Sequence, residues 1–240
     1  MKDNNEPQPR RKFLIHSVTS AAGVASLGLT QETQAQAPEK TQENGQSALQ
    51  GYLWLRPNEQ GFVESLVNHM CPADRLSPSG VDMNLNIYFD RALGGDWGQG
   101  NRLYLKGPFV KGTPNQGYQL GLTPAALFRA GTEGLDSYCK TQFKTSFESL
   151  GSEQKEKVLK EMQAGKIELH NGIPSETYFS HLLQMFNEAM FADPIYGGNK
   201  AKMGWKMIGY PGVNTNHRQN IVKFKNKPFK VEPKSISDVS

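Results

Sequence analysis

Asp193, Tyr196 and Asn199 fall within Phe191-Ala192-Asp193-Pro194-Ile195-Tyr196-Gly197-Gly198-Asn199, and the first two have side chains that could move a proton. A carboxylate there can act as a base and a phenol as a proton donor. No third residue in the stretch would activate either group. A second segment follows, Gly204-Trp205-Lys206-Met207-Ile208-Gly209-Tyr210-Pro211-Gly212. The glycines and prolines of the two segments compel turns. Asp193, placed before Pro194, can accept backbone N–H bonds as a turn or cap residue. Tyr196, Trp205 and Tyr210 lie between the turns and are of types enriched at partner surfaces. Three readings stay open for this stretch: a structural knot, a partner contact, and a small-molecule site lined by Asp193, Tyr196 and Asn199.

Other chemistry is sparse. His16, His69, His170, His181 and His217 do not fall at metal-ligand spacings, and a surface or satisfied core position is expected for each. His69 has Asp74 nearby in sequence, while Glu148, Glu153 and Glu156 read as a solvated helix face. Gly94-Gly95-Asp96-Trp97-Gly98-Gln99-Gly100 follows no apolar strand and so fails as a dinucleotide fingerprint. There is no Walker loop, haem attachment motif or Gly-x-Ser-x-Gly elbow.

The front of the chain carries an address. Pro9-Arg10-Arg11-Lys12-Phe13-Leu14 precedes a soft apolar run from Ile15 to Leu29, and Ala35-Gln36-Ala37 places small residues where a signal peptidase reads them. This is the layout of a cleavable twin-arginine signal over residues 1–37, a route that exports folded proteins to the periplasm. The run is too short and too polar for a span of about 20 residues. Removing it leaves enough chain for one domain with a core. The formal net charge of +4 falls to about +3 without the leader, too weak to argue for nucleic acid.

Cys71 and Cys139 are too few for an iron–sulfur cluster and lack zinc spacing. In an oxidising compartment they could form an internal disulfide, which would contribute about 4 kcal/mol by loop entropy. Two buried thiols, or a bridge from one of them to another subunit, are the alternatives.

The positioning elements read as mainly α. Residues 38–52 are polar and aperiodic and predict a disordered leader, and a helical domain is expected over 53–215. Pro57 opens a helix whose stripe is Phe62, Val63, Leu66, Val67 and Met70. A second is predicted from Asp82 to Leu93. Gly94 to Leu122 forms a long ordered loop with Trp97, Tyr104, Phe109 and Tyr118 as anchors. Thr123-Pro124 starts a helix running towards Leu150, with Gly131 and Gly134 as weak points. Val158, Leu159 and Met162 mark a helix ending at Gly165, and Ser175 caps another striped by Phe179, Leu182, Leu183, Phe186 and Met190. Residues 216–240 predict a coil-like arm with solvated lysines.

Asp193-Pro194-Ile195-Tyr196-Gly197-Gly198-Asn199, Gly204-Trp205 and Ile208-Gly209-Tyr210-Pro211-Gly212 together resemble the signature of the gluconate 2-dehydrogenase subunit 3 family. Pro72-Ala73-Asp74, Tyr104-Leu105-Lys106-Gly107-Pro108-Phe109 and Leu120-Gly121-Leu122-Thr123-Pro124 are similar too, as is the twin-arginine leader. The likeness covers about residues 10–14 and 53–215. It implies a non-catalytic small subunit without a cofactor of its own. The implied partners are a GMC-type, FAD-dependent dehydrogenase subunit that oxidises a sugar, sugar acid or polyol, and a cytochrome c subunit that passes electrons to the quinone pool. It also implies that the flavoprotein rides out through the twin-arginine translocase on Arg10, Arg11, Phe13 and Leu14. Docking would then fall to Asp193, Tyr196, Gly197, Gly198, Asn199, Gly204, Trp205, Tyr210, Pro211 and Gly212.

Overall fold

Helix α1 (Pro57–Met70) starts where proline fixes φ at the first helical position, and the Glu59 carboxylate accepts the Arg56 N–H at 2.8 Å. Its Phe62, Val63, Leu66 and Val67 point into the core. The structure is a computed structural model that describes residues 51–110, 112–113, 116–214 and 216–240. Arg10, Arg11, Phe13, Leu14, Ala35, Ala37 and the leader up to residue 50 lie outside the described residues. All described residues fall within one compact unit.

Helix α2 (Leu85–Gly94) begins three residues later than its apolar pattern predicts, because Asn84 sits in the left-handed region at φ 59° and interrupts any earlier helical turn. Helix α3 (Pro124–Phe143) has the expected start: Thr123 Oγ1 accepts the Ala126 N–H at 3.2 Å. It stops well short of Leu150, since Lys144 turns left-handed at φ 59° and a short 3₁₀ turn, Phe147–Ser149, follows. Helices α4 (Ser152–Gln163) and α5 (Ser175–Phe191) complete the core. Ser175 is not the cap of α5 but its first helical residue, and its buried hydroxyl has no partner. Three short helices close the described chain: α6 (Met203–Ile208), α7 (Arg218–Lys223) and α8 (Ile236–Val239). The last two lie in the arm expected to be coil. Among the described residues there are isolated bridges but no strands, and no helix is long and apolar enough to cross a membrane.

Helix α5 is central and packs against α2, α3, α4 and α6. The approach of α3 depends on Gly131, where a Cβ would lie 2.2 Å from the ring of the fully buried Tyr178. The position read as a weak point is therefore where α3 makes room for the largest side chain of α5. The Tyr178 hydroxyl hydrogen-bonds Thr132 Oγ1 at 2.6 Å.

The chain before α1 is fixed by one buried carboxylate. Asp90 on α2 accepts the N–H groups of Leu53, Trp54 and Leu55, each at 2.8 Å. Tyr52 is tied to Glu64 and Asn86, so this residue, expected in the disordered leader, belongs to the folded domain. In the loop after α2, Trp97 stacks on His181 and Tyr118 meets the same imidazole edge-on, while Tyr104 and Phe109 remain exposed. Two of the four loop aromatics thus fasten it to α5. His181 is the core histidine that the sequence allows, half satisfied: its imidazole bonds the Pro124 backbone, while Nε2 has no hydrogen-bond partner. His69 pairs with Glu156 at 3.1 Å rather than with Asp74.

Cys71 and Cys139 are both free and buried. The Cys71 Sγ contacts Ser77 and the Pro78 carbonyl, while Cys139 is enclosed on α3. The structure thus has two buried thiols and no internal disulfide between them. Burial, with smaller help from Asp136 and Glu148, pushes the Cys139 thiol up to about 12.

Candidate docking site

An α-helix leaves its last carbonyls without partners. At the end of α5 these are met by the aromatic–glycine segments that follow. Trp205 Nε1 donates to the Phe191 carbonyl at 2.7 Å, and Asn199 Nδ2 donates to the Ala192 carbonyl at 3.0 Å. Asn199 Oδ1 accepts the Gly204 N–H at 2.9 Å and so ties the start of α6 to the end of α5. Gly204 must be glycine, since a Cβ would stand 2.1 Å from the Met190 carbonyl oxygen. Asn199 is fully enclosed and Trp205 is 3 % exposed, with Tyr210 edge-on to its indole at 5.2 Å between centroids. These residues form a seam that seals one end of the domain.

Asp193 belongs to the seam through both oxygens. Oδ1 accepts the Ile195 N–H at 3.0 Å, and Oδ2 accepts the Ile236 N–H of the C-terminal arm at 2.8 Å. Lys234 then bridges to Gly212, whose φ of 76° and 2.0 Å Cβ clearance to the Lys234 carbonyl oxygen exclude a side chain. Pro211 contributes its carbonyl to the Lys234 N–H at 3.2 Å. Gly197 ends a 3₁₀ turn, Pro194–Tyr196, at φ 103°, and Gly198 lies against the Ala189 carbonyl.

The other half of the same segments faces outward. Ile195, Tyr196, Met207, Ile208 and Tyr210 are exposed. Beside Ile195 and Tyr196 opens a cleft of about 1140 Å³, walled by Ile87, Tyr88 and Arg91 of α2 and by Glu188 of α5. The Tyr88 hydroxyl donates to Glu188 Oε2 at 2.9 Å across its wall. Burial first, and then the Glu188 charge, raise the Tyr88 pKa, so this phenol remains a donor at neutral pH. Arg91 holds Asp90 at 3.0 Å and the Gly51 carbonyl at 3.1 Å, which brings the start of the described chain to the cleft rim.

The proposed acid–base set is not assembled. Asp193 and Asn199 direct their polar atoms at backbone groups, and Tyr196 alone of the three lines the cleft. The surface mixes aliphatic, aromatic and a few hydrogen-bonding groups, the composition of a protein contact. Sequence reasoning missed Arg91 and Glu188, and missed Tyr88, which packs on the core and reaches the cleft wall. A signal existed: Ile87, Tyr88 and Arg91 recur at helical spacing on the face away from Leu85, Phe89 and Leu93.

The fold and this face define a helical domain, sealed at one end by an aromatic–glycine seam and open beside it to a cleft flanked by exposed aliphatic and aromatic side chains. The family model for gluconate 2-dehydrogenase subunit 3 matches residues 57–212, from the first residue of α1 to the last glycine of the seam, and the chain belongs to that family. Neither a curated relative nor a solved structure matches it.

Proposed function

We propose that this chain is the non-catalytic small subunit of an FAD-dependent dehydrogenase acting on a sugar, sugar acid or polyol. It binds the flavoprotein through the cleft and the exposed half of the seam, chiefly Ile195, Tyr196, Ile208 and Tyr210. FAD belongs to that partner, and a cytochrome c subunit takes the electrons onward. The twin-arginine leader carries the assembled pair to the periplasm, where Ala35 and Ala37 mark its removal.

The observation that supports this reading is the family match laid over the geometry: the matched segment contains both the seam and the apolar face it presents. An obligate interface on such a face buries about 2,000 Å² or more. The test is co-expression with an FAD-dependent dehydrogenase subunit from the same source. Affinity capture of this chain should bring down a protein with a flavin absorbance spectrum. Arg10→Lys with Arg11→Lys should hold that flavoprotein in the cytoplasm. A flavoprotein that still reaches the periplasm refutes the carrier role, and sugar oxidation by this chain alone refutes the non-catalytic role.

A further inference from the structure

The C-terminal arm leaves the domain and returns to it at neighbouring points. The Val213 N–H bonds the Lys234 carbonyl at 2.7 Å, and the Ile236 N–H reaches Asp193 two residues later. Everything between is an excursion with its own small core: Phe224 and Phe229 pack edge-to-face at 4.8 Å between centroids, and His217 meets Phe229 at 6.2 Å. Helix α7 stands on this core and presents Ile221, 70 % exposed, and Val222, 80 % exposed. Arg218, Lys223, Lys225, Lys227 and Lys230 flank them in the chain, all exposed, with Lys223 Nζ over the Phe224 ring at 5.3 Å, and no acidic residue occurs from Asn216 to Val231. None of the five cations makes an ion pair among the described residues.

From this arrangement we propose that residues 216–231 form a contact for an anionic lipid bilayer, with Ile221 and Val222 inserted and the five cations on phosphate headgroups. Charge complementarity names the occupant. Protein interfaces are depleted in lysine and anchored by aromatic residues, yet here four of the five cations are lysines, and the half-buried Phe224 and Phe229 rings pack on each other. Two exposed aliphatic tips in a chain segment carrying five exposed cations fit a surface that is apolar beneath a diffuse negative layer. The docking face has the opposite make-up, so this proposal does not depend on the partner reading.

The test is co-sedimentation of the full chain with vesicles of phosphatidylcholine alone or with a quarter phosphatidylglycerol. All variants share residues 15–29, so any lipid affinity of that apolar run is common to them. Wild type should prefer the phosphatidylglycerol vesicles and lose that preference as salt rises. Lys225→Gln with Lys227→Gln should weaken partition about 25-fold, about fivefold per charge. Ile221→Ser with Val222→Ser should weaken it about tenfold with an unchanged circular dichroism spectrum. Equal binding to both vesicles overturns the proposal. So does a loss confined to the charge variant, which would mark an acidic protein face or a polyanion instead of a bilayer.

Discussion

Trp205→Phe separates the two halves of the seam. The indole is 3 % exposed, and its Nε1–H completes the Phe191 carbonyl at 2.7 Å. Phenylalanine keeps most of the ring but leaves that carbonyl without this donor, at about 1–3 kcal/mol. The missing ring atoms add about 1 kcal/mol as a cavity. For a domain of this size each kcal/mol lowers Tm by about 2–4 °C, so a drop of about 5–15 °C is expected. Tyr196→Ser makes the contrast. Tyr196 is 59 % exposed on the cleft rim. Its loss should leave Tm within about 2 °C, because exposed substitutions change stability by about 0.5 kcal/mol or less. As a central aromatic contact it should weaken flavoprotein binding by about 2 kcal/mol, near 30-fold. Thermal melts by circular dichroism and a dissociation constant for the flavoprotein read both variants. If Trp205→Phe weakens binding at unchanged Tm, or Tyr196→Ser lowers Tm and spares binding, the division into a buried seam and an exposed docking face is wrong.

Burial holds the His181 pKa down to about 4, against about 6.5 when unfolded. The unfolded chain therefore binds the proton first as pH falls. The stabilisation is full above about pH 6.5, declines towards pH 4 and is flat below, on the order of 3 kcal/mol. The Tm of His181→Gln should fall less steeply than wild type across that window, and equal slopes would refute the assignment. Gly131→Ala should destabilise by about 1–3 kcal/mol because its Cβ meets Tyr178. Helix propensity alone predicts stabilisation of about 1 kcal/mol, so the sign of the shift in a denaturant titration decides. A thiol reagent at neutral pH should find no reactive cysteine in the folded chain and two after unfolding without reductant. Any disulfide would lower the second count. Asp193→Ala should speed hydrogen exchange at both the Ile195 and Ile236 amides, and protection of either would sever that link.

The long helices were legible because residue types mark both their faces and their ends. Pro57 and Thr123-Pro124 announce α1 and α3, and Leu182, Phe186 and Met190 announce the buried side of α5. The errors fall where a non-glycine residue turns left-handed. Asn84 delays α2 and Lys144 ends α3, and a lysine carries no warning of that conformation. The surroundings of His181 were not legible for a different reason. Its neighbours Trp97 and Tyr118 are distant in sequence, and no periodicity connects a loop to the helix it covers. The site was legible as composition and not as orientation. Tryptophan and tyrosine have one apolar body and one polar tip, so either can face inward or outward. The position of the α5 carbonyls decides that Trp205 goes in and Tyr196 stays out.

That orientation follows from a constraint shared by every helix that ends inside a protein. The carbonyls at the end of α5 need donors, and the chain must supply them from close by. Trp205 and Asn199 do so, and glycine at position 204 lets the backbone come near enough. With the polar atoms of the seam turned inward, the side chains left on its outer side are mostly apolar: Ile195, Met207, Ile208 and the rings of Tyr196 and Tyr210, beside Lys206 paired with Glu232. The same Asp193 carboxylate that holds the Ile195 turn also holds Ile236, so the docking face and the root of the basic arm share one anchor. Helix termination thus generates the contact surface as a by-product. Glycine at 198, 204 and 212, where a Cβ would meet backbone, and the Trp205 donor are what that termination requires of the segment.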